Sequence, residues 1–590
     1  MIGEEEVHEE INIKPNTISK LLMESPSIQV QQTSAVNGSV SLRLQGLDGK
    51  YTQILKDGFP LYGGIGQGLS VTQIPPLDLK QVEIIKGSAS TLYGSDAIAG
   101  IINLISKEPQ KKRELTLLAN QTSLLGTSGN AYYSQRWGRA GISLLASGNF
   151  QQLRDVDKDG FSDLPEAQTF NVIPAFHFYF DSSATMRLTL NGMSDNRTGG
   201  DMMAIRKQPD ETHRYISENR SERVSAQLKF SKTFLKERCL TVKNSLSRFI
   251  RSVRQPSSSF KGTQSSTYTE ISFRSGIGDH LFVAGADLNT ESFAEDSSKS
   301  HRKRDFDYMT AGIFLQDDWK PAEKIVLQAG MRADYQDPYG YFMLPRFALI
   351  CHFTHSFYVR AGSGLGYKAP TLFSSASEQE GITDIQPLSS SLRAEKSLGS
   401  NLDFNWKLRA GEEGSITINQ SFFITQINNP LVLDSVRFVN KNQPVSAAGS
   451  ETNIRYRIEA FQIFAAYTFV EARRQYDALQ SFVPLTPQHK INLDIIYGDE
   501  DDFSAALEGY YISSMFRDAD TKTRSFFTVG LILQKHFERF SLIANCENLF
   551  DVRQSRFENV VLPPNDNPVF REIYAPLDGR VVNIALRIKL

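Results

Sequence analysis

"QVEIIKGSASTLYGSDAIAGIINLISKEP", residues Gln81 to Pro109, joins two apolar, strand-like runs through a break of small residues. Val82, Ile84 and Ile85 lead into the break, and Ile101, Ile102, Leu104 and Ile105 lead out of it. Glycine, serine and alanine there let the backbone bend tightly and pass close to another surface, where larger side chains would clash. Upstream, "SVSLRLQGLDGKYTQILKDGFPL" alternates strand and turn, with Gly46, Gly49 and Gly58 as expected chain-reversal points where positive φ is cheap. Everything beyond Pro109 has a different pattern, and that contrast decides the fold.

From about residue 112 onward, polar and apolar residues alternate with the period of two of a half-exposed strand. "RVSAQLKFSKTF" sets Val224, Ala226, Leu228 and Phe230 against Ser225, Gln227, Lys229 and Ser231, and "TMRLTLNGM" repeats the pattern. The last residues place Val582, Ile584, Leu586, Ile588 and Leu590 on one face and Asn583, Ala585, Arg587 and Lys589 on the other. A strand that runs to the final residue needs a partner. Short connections such as "WGRAG", "YFDSSA" and "HFERF" alternate with long ones such as "LRDVDKDGFSDLPEAQ" and "ASEQEGITDIQPLSSSLRAEKS". Tight turns at one end and long loops at the other predict an up-and-down outer-membrane barrel, with the long loops outside. The strand count comes to about twenty-two, a size whose lumen is wide enough to need a plug. A propeller would show self-similarity every forty or so residues, and a string of sandwiches would show Pro/Ser/Gly-rich linkers; neither is present.

Composition agrees. The 590 residues carry 64 basic and 66 acidic side chains, a net charge of -2, which excludes the electrostatic footprint of a nucleic-acid binder. The three cysteines, Cys239, Cys351 and Cys546, are too far apart for a disulfide framework or a CxxC metal motif. No apolar stretch reaches the ~18 residues of a membrane-spanning helix. A mean hydropathy of -0.31 would ordinarily suggest a soluble protein, but a barrel that meets lipid with alternate residues has the same value. The first residues, "MIGEEEVHEEINIKP", lack a basic region followed by an apolar one, so no signal peptide is expected in this stretch: either the protein is not exported or the chain starts downstream of its true beginning.

The stretch Tyr62 to Pro109 resembles the plug domain of TonB-dependent outer-membrane receptors, whose plug ends in a strand, a Lys/Arg-Gly, a small-residue segment with Tyr-Gly, and a Gly-Ile-Ile-Asn strand. The matching residues include Val82, Glu83, Lys86, Gly87, Leu92, Tyr93, Gly94, Ala97, Gly100, Ile102 and Asn103. "GIFLQDDWKP", "GLGYKAPTLF", "LRAEKSLGSNLDF" and "CENLFD" follow in the order and rough spacing of the same receptors. The resemblance implies an all-β transmembrane fold: a 22-stranded antiparallel outer-membrane β-barrel with a small mixed α+β plug domain in the lumen. Residues 1–109 are then the plug, with its N-terminal part missing, and residues 110–590 the transmembrane β-barrel. Three departures stand out: Gln45 where the family usually has Arg before the plug glycine, Leu590 where the last residue is often Phe, and a start that resembles the inside of a plug.

The implied function is TonB-dependent active uptake of a scarce nutrient across the outer membrane of a Gram-negative bacterium, with a ferric siderophore or similar iron chelate as the leading solute. Cobalamin or haem is the alternative within the same fold. Other classes are a passive porin, which would need no plug, and an outer-membrane enzyme, for which there is neither a G-x-S-x-G elbow nor an HExxH. The implied partners are outer-membrane lipid, the TonB–ExbB–ExbD complex (its contact segment not present in this chain) and a small-molecule metal chelate, with the receptor a monomer. Ligand contacts are expected from Tyr62 and Gln67 in the plug's outward loop and from Met202, Met203, Arg206, His213 and Tyr215 in a barrel loop. A basic run, His301 to Arg304, lies in another long loop. No cofactor is required, but "DVDKDGFSDLPE" fits the calcium pattern D-x-D-x-D-G-x₅-E. Asp155, Asp157 and Asp159 offer carboxylates, Gly160 the turn, Phe161 a carbonyl, Asp163 the ninth position and Glu166 the twelfth. Strand flanks in place of EF-hand helices, and Pro165, weigh towards an ordinary Asp-rich turn.

Overall fold

The computed structural model describes residues 17–61, 64–87, 90–207, 209–235, 237–296, 304–380, 385–498, 502–518 and 521–590. Among them, 22 antiparallel strands form one closed barrel, beginning with Glu114–Thr122 and ending with Val581–Lys589. The last strand pairs with Phe540–Glu547 on one side and with the first strand on the other, from Asn583 opposite Thr122 to Lys589 opposite Thr116. Even the final residue is paired: Leu590 and Leu115 exchange backbone hydrogen bonds of 2.9 and 3.1 Å. The partner that the last strand's sequence demanded is therefore the first barrel strand, and closure leaves no exposed edge.

The alternation sorts inside from outside, in the reverse sense to a soluble protein. Val582, Ile584 and Leu586 are 43, 63 and 38% exposed on the outer face, while Asn583 and Ala585 are 2 and 1% exposed towards the lumen. Such an apolar outer band is stable only against lipid. Replacing Ile584 by arginine is expected to cost about 2–4 kcal/mol of barrel stability in vesicles, measured by urea unfolding, and leucine there almost nothing.

The lumen holds the plug. A short helix α1 (Ser19–Met23) precedes the hairpin of β1 (Ile28–Gln32) and β2 (Val40–Leu44). Strands β3 (Thr52–Lys56), β4 (Phe59–Pro60), β5 (Leu79–Lys86) and β6 (Gly100–Ser106) form a four-stranded sheet in the order β4-β3-β6-β5. Leu44, Leu77, Leu79, Val82, Ile102 and Leu104 are fully buried in its core. Gly46 and Gly58 take the positive φ expected of them, 78° and 79°. Gly49 does not. It opens a 3-10 turn, Gly49–Tyr51, capped by the Asp48 side chain, and is small because a Cβ would stand 2.5 Å from the Leu42 carbonyl.

The opening stretch proves to be a hairpin. Lys86 lies opposite Gly100, and Gly87 N–H donates to the Ala99 carbonyl at 2.8 Å, so the small-residue break is the long loop between β5 and β6. Within it the short helix α2 (Ser90–Tyr93) leans on the barrel wall. Gly87, Gly94 and Gly100 all have positive φ, and a Cβ on Gly100 would meet the Ile85 carbonyl at 2.2 Å. Asn103 fastens the sheet edge: its amide donates to Glu83 at 3.0 Å and its oxygen accepts from Gly58 N–H at 3.0 Å. Lys86 forms an ion pair with the buried Glu451 of the wall at 2.7 Å, and Lys20 one with Glu508 at 2.5 Å.

Candidate functional site

Where the long loops gather, a cavity of about 560 Å³ opens at the barrel mouth. Tyr308 enters from the start of the strand Phe306–Ala322, Tyr339 and Tyr341 from the turn that begins the strand Gly340–His352, and Arg393 and Lys396 from either side of Glu395. The Tyr308 and Tyr339 hydroxyls lie 3.3 Å apart with their rings edge-on at 5.8 Å, and the Lys396 ammonium sits 5.7 Å from the Phe342 ring. Arg393 and Lys396 are exposed, and Asp305 is the one carboxylate residue among the described lining residues. The chemistry offered is aromatic surface, hydroxyl donors and a positive rim.

Directly beneath, a smaller polar pocket of about 90 Å³ shares Tyr308 and reaches the plug at Lys50, Gly64 and Asp96. Glu395 ties plug to mouth. Only 1% exposed, it accepts hydrogen bonds from Tyr51 Oη at 2.6 Å, Lys50 Nζ at 3.2 Å and the Leu431 N–H at 2.7 Å. Leu431 begins a small loop hairpin, so one carboxylate joins the plug apex to two long loops.

The barrel-loop residues expected from sequence to touch ligand lie apart from this cavity. Tyr62 lies outside the described residues, as does the Gln67 side chain, although its backbone belongs to the 3-10 helix Gly64–Thr72. Met202, Met203 and Arg206 form a helical turn capped by Asp201. Met202 is buried there, while Met203 and Arg206 face solvent. His213 is held by Asp201 at 2.7 Å, and Tyr215 packs into an aromatic cluster with Phe161 and Phe570. None of these five barrel-loop residues lines the mouth cavity. His301, Arg302 and Lys303 lie outside the described residues; Arg304 does line the cavity, but its guanidinium is engaged by Glu295 and the Ile385 carbonyl. The aromatic and cationic lining was missed because it comes from segments far apart in sequence; the tyrosines of "DPYGY", Asp337 to Tyr341, were its one local signal.

The Asp-rich loop is partly assembled. Ligand oxygens of Asp155, Asp157 and Asp159 lie within 4.8 Å of one another. Asp163 is buried and spends one oxygen on the Val156 and Asp157 N–H groups, at 2.6 and 3.2 Å. Glu166 sits apart as the first residue of a barrel strand, opposite Thr198, so it does not join the carboxylate trio. Phe161 lies opposite Asp201 in an isolated bridge whose hydrogen bonds run from Ser162 N–H to the Gly200 carbonyl and from Met202 N–H to the Gly160 carbonyl, and its ring packs against Phe570. Burial, reinforced by the Asp157 charge, pushes the Asp163 carboxyl up to about 7; burial also raises Asp155. With pKa values above the usual 3.8, the closed loop binds more protons than the open one between about pH 4 and 7 and loses stability as pH rises through that window. Hydrogen exchange of residues 154–164, corrected for intrinsic rates, is expected to show protection falling from pH 5 to pH 8.

Comparison with known proteins matches this architecture. The family described as "TonB dependent receptor-like, beta-barrel" matches residues 115–549, and the "TonB-dependent Receptor Plug Domain" matches residues 6–101. The chain belongs to the TonB-dependent receptor family, plugged outer-membrane barrels that act as transport receptors. The iron-regulated outer membrane virulence protein of Vibrio cholerae is 24% identical over 489 residues, covering 74% of this chain and 70% of that one. The vitamin B12 transporter BtuB of Vibrio vulnificus is 24% identical over 383 residues, covering 63% of this chain and 60% of that protein. Among solved structures, the ferric-catecholate import receptor Fiu of E. coli superimposes with a TM-score of 0.78 at 16% identity, covering 100% of this chain and 96% of the other. The yersiniabactin uptake receptor FyuA of Yersinia pestis gives 0.78 at 15%, with 98% and 96% covered. At these identities the structures show a shared fold.

Proposed function

We propose that this receptor takes up a ferric siderophore or comparable anionic iron chelate, bound in the mouth cavity and moved inward with energy supplied through the TonB complex. The observation that carries this reading is the cavity itself: about 560 Å³, walled by tyrosines and rimmed by Arg393 and Lys396. That volume is in the range of small-molecule sites. Aromatic rings with a cationic rim suit an anionic, oxygen-rich chelate, since the charges attract it and the hydroxyls can bind its oxygens. The siderophore receptors among the structural relatives support the reading.

Titration of the purified receptor with a ferric tris-catecholate, followed by tyrosine fluorescence, tests it. Saturable quenching that weakens with added salt is expected, as screening acts on an exposed cationic rim. Cobalamin is the second reading, favoured by the similarity to a vitamin B12 transporter; cobalamin or haem binding in place of the catecholate would replace the iron-chelate reading.

The trio Asp155, Asp157 and Asp159 is read as a binding point for a hard divalent cation, completed by loop carbonyls and water. Millimolar calcium is then expected to restore the hydrogen-exchange protection lost at pH 8, whereas sodium chloride at equal ionic strength would not.

A further inference from the structure

The small pocket beneath the mouth, about 90 Å³, gathers polar side chains that have nothing in the protein to bind. Its wall side is a row at facing positions on three successive strands, His280–Glu295, Phe306–Ala322 and Ile325–Asp337: Asn289 lies opposite Thr310, and Thr310 opposite Gln336. Facing positions on neighbouring strands hold their Cβ atoms about 5 Å apart, so the three present one continuous polar surface to the lumen. Glu291 stands one inward position nearer the mouth, opposite Tyr308. The plug closes the other side with Thr52 and Gln53 from the start of β3.

Thr52, Thr310 and Gln336 are each more than nine-tenths buried. Thr52 Oγ1, Gln53 Oε1 and Gln336 Oε1 are shielded from solvent and have no hydrogen-bond partner. Among the described residues, the Glu291 carboxylate makes no hydrogen bond or ion pair; the charges that act on it from a distance are those of Asp96 and Lys368. These two are paired with each other at 2.9 Å, and Lys50, the other cation lining the pocket, is taken by Glu395. Both lysines are thus matched, and the Glu291 charge is left over. Unpaired polar groups and an unbalanced carboxylate inside a protein are costly, so together they point to a bound partner.

We propose that this pocket holds a hard monovalent cation, sodium, between the plug and the wall. The donors it offers are carboxylate, amide and hydroxyl oxygens, the ligands that hard cations take. One positive charge balances Glu291, whereas a divalent ion would leave an excess beside Lys50 and Lys368. The space accommodates an ion with a few waters and is too small for a chelate. The ion is therefore a resident ligand and not the solute carried. Held by Thr52 and Gln53 on one side and by the wall row on the other, it ties the plug sheet to three barrel strands. Because the site exists only with the plug docked, sodium stabilises the docked plug.

Sodium-NMR line broadening on the purified receptor reads the ion directly. Broadening above that of the free ion is expected, with affinity at least about tenfold weaker in Glu291→Gln and about tenfold weaker in Thr310→Val with Gln336→Leu, heat-modifiable migration verifying that each barrel is folded. Tryptic cleavage within residues 45–75 reads the fastening. It is expected to run about fivefold slower in sodium chloride than in choline chloride at equal ionic strength, a difference that Glu291→Gln removes. No broadening, or the same broadening in the unmodified protein and both variants, would overturn the site. Displacement of sodium by micromolar calcium would make it a divalent site and overturn the proposal. So would a carboxylic-acid infrared band in sodium buffer that Glu291→Gln removes, since a proton would then balance Glu291. None of these measurements uses a chelate, so failure of the uptake reading leaves them decisive.

Discussion

Replacing Arg393 and Lys396 together by glutamate is expected to weaken binding of an anionic ferric chelate by about 100-fold, close to 3 kcal/mol. Both side chains stand on the exposed rim of the mouth cavity, where Asp305 is the one carboxylate residue among the described lining residues. The double reversal turns two attractive contacts into two repulsive ones. Because the rim is solvated, the loss should be greatest at low salt and shrink as ionic strength rises. Swapping the two cations, Arg393→Lys with Lys396→Arg, is expected to stay within about threefold, since the sign of the rim is kept. Fluorescence titration at two salt concentrations checks both variants; equal binding by the double reversal would remove the mouth cavity from the account.

Glu395→Ala is expected to cost about 3–5 kcal/mol in the docking of the plug apex, because it leaves the buried Lys50 charge without its carboxylate, with the Leu431 carbonyl at 3.0 Å still in place. The carboxylate is 1% exposed and accepts from Lys50, Tyr51 and the Leu431 N–H, so its loss also orphans a phenol and a backbone donor. Glu395→Gln keeps acceptor geometry for Tyr51 and Leu431 and is expected to lose less. Rates of tryptic cleavage in residues 45–75, compared in rising urea, measure the difference. A plug as resistant in Glu395→Ala as in the unmodified protein would show that the junction is not a fastening point.

The barrel was legible because lipid imposes one unbroken apolar face on every strand. Val582, Ile584 and Leu586 show it within nine residues, and no soluble core demands such regularity at a chain end. The hairpin around Gly87 and Gly100 was legible as two strands with a break. That the break would sit against wall glycines was not, since Gly330 and Gly366 lie more than two hundred residues away and look like ordinary strand glycines. The mouth was hidden for the same reason: Tyr308, Tyr339 and Arg393 become neighbours only through strand order and closure. In the barrel loops several of the conspicuous side chains serve as packing. Met202 is covered and Tyr215 is packed at a tilt against Phe161 and Phe570. The Asp-rich loop shows the boundary well. Carboxylates at alternate positions converge through local turn geometry, but Glu166 was claimed by a barrel strand, a long-range demand that the loop pattern does not contain.

The most direct test of energy-coupled chelate uptake is accumulation of radioactive iron from ferric tris-catecholate by cells expressing the complete gene product, with TonB present or deleted. Surface binding is expected to be equal in both, and accumulation to require TonB. Accumulation at the same rate without TonB, in cells whose barrel is folded and whose mouth binds the chelate, would contradict it.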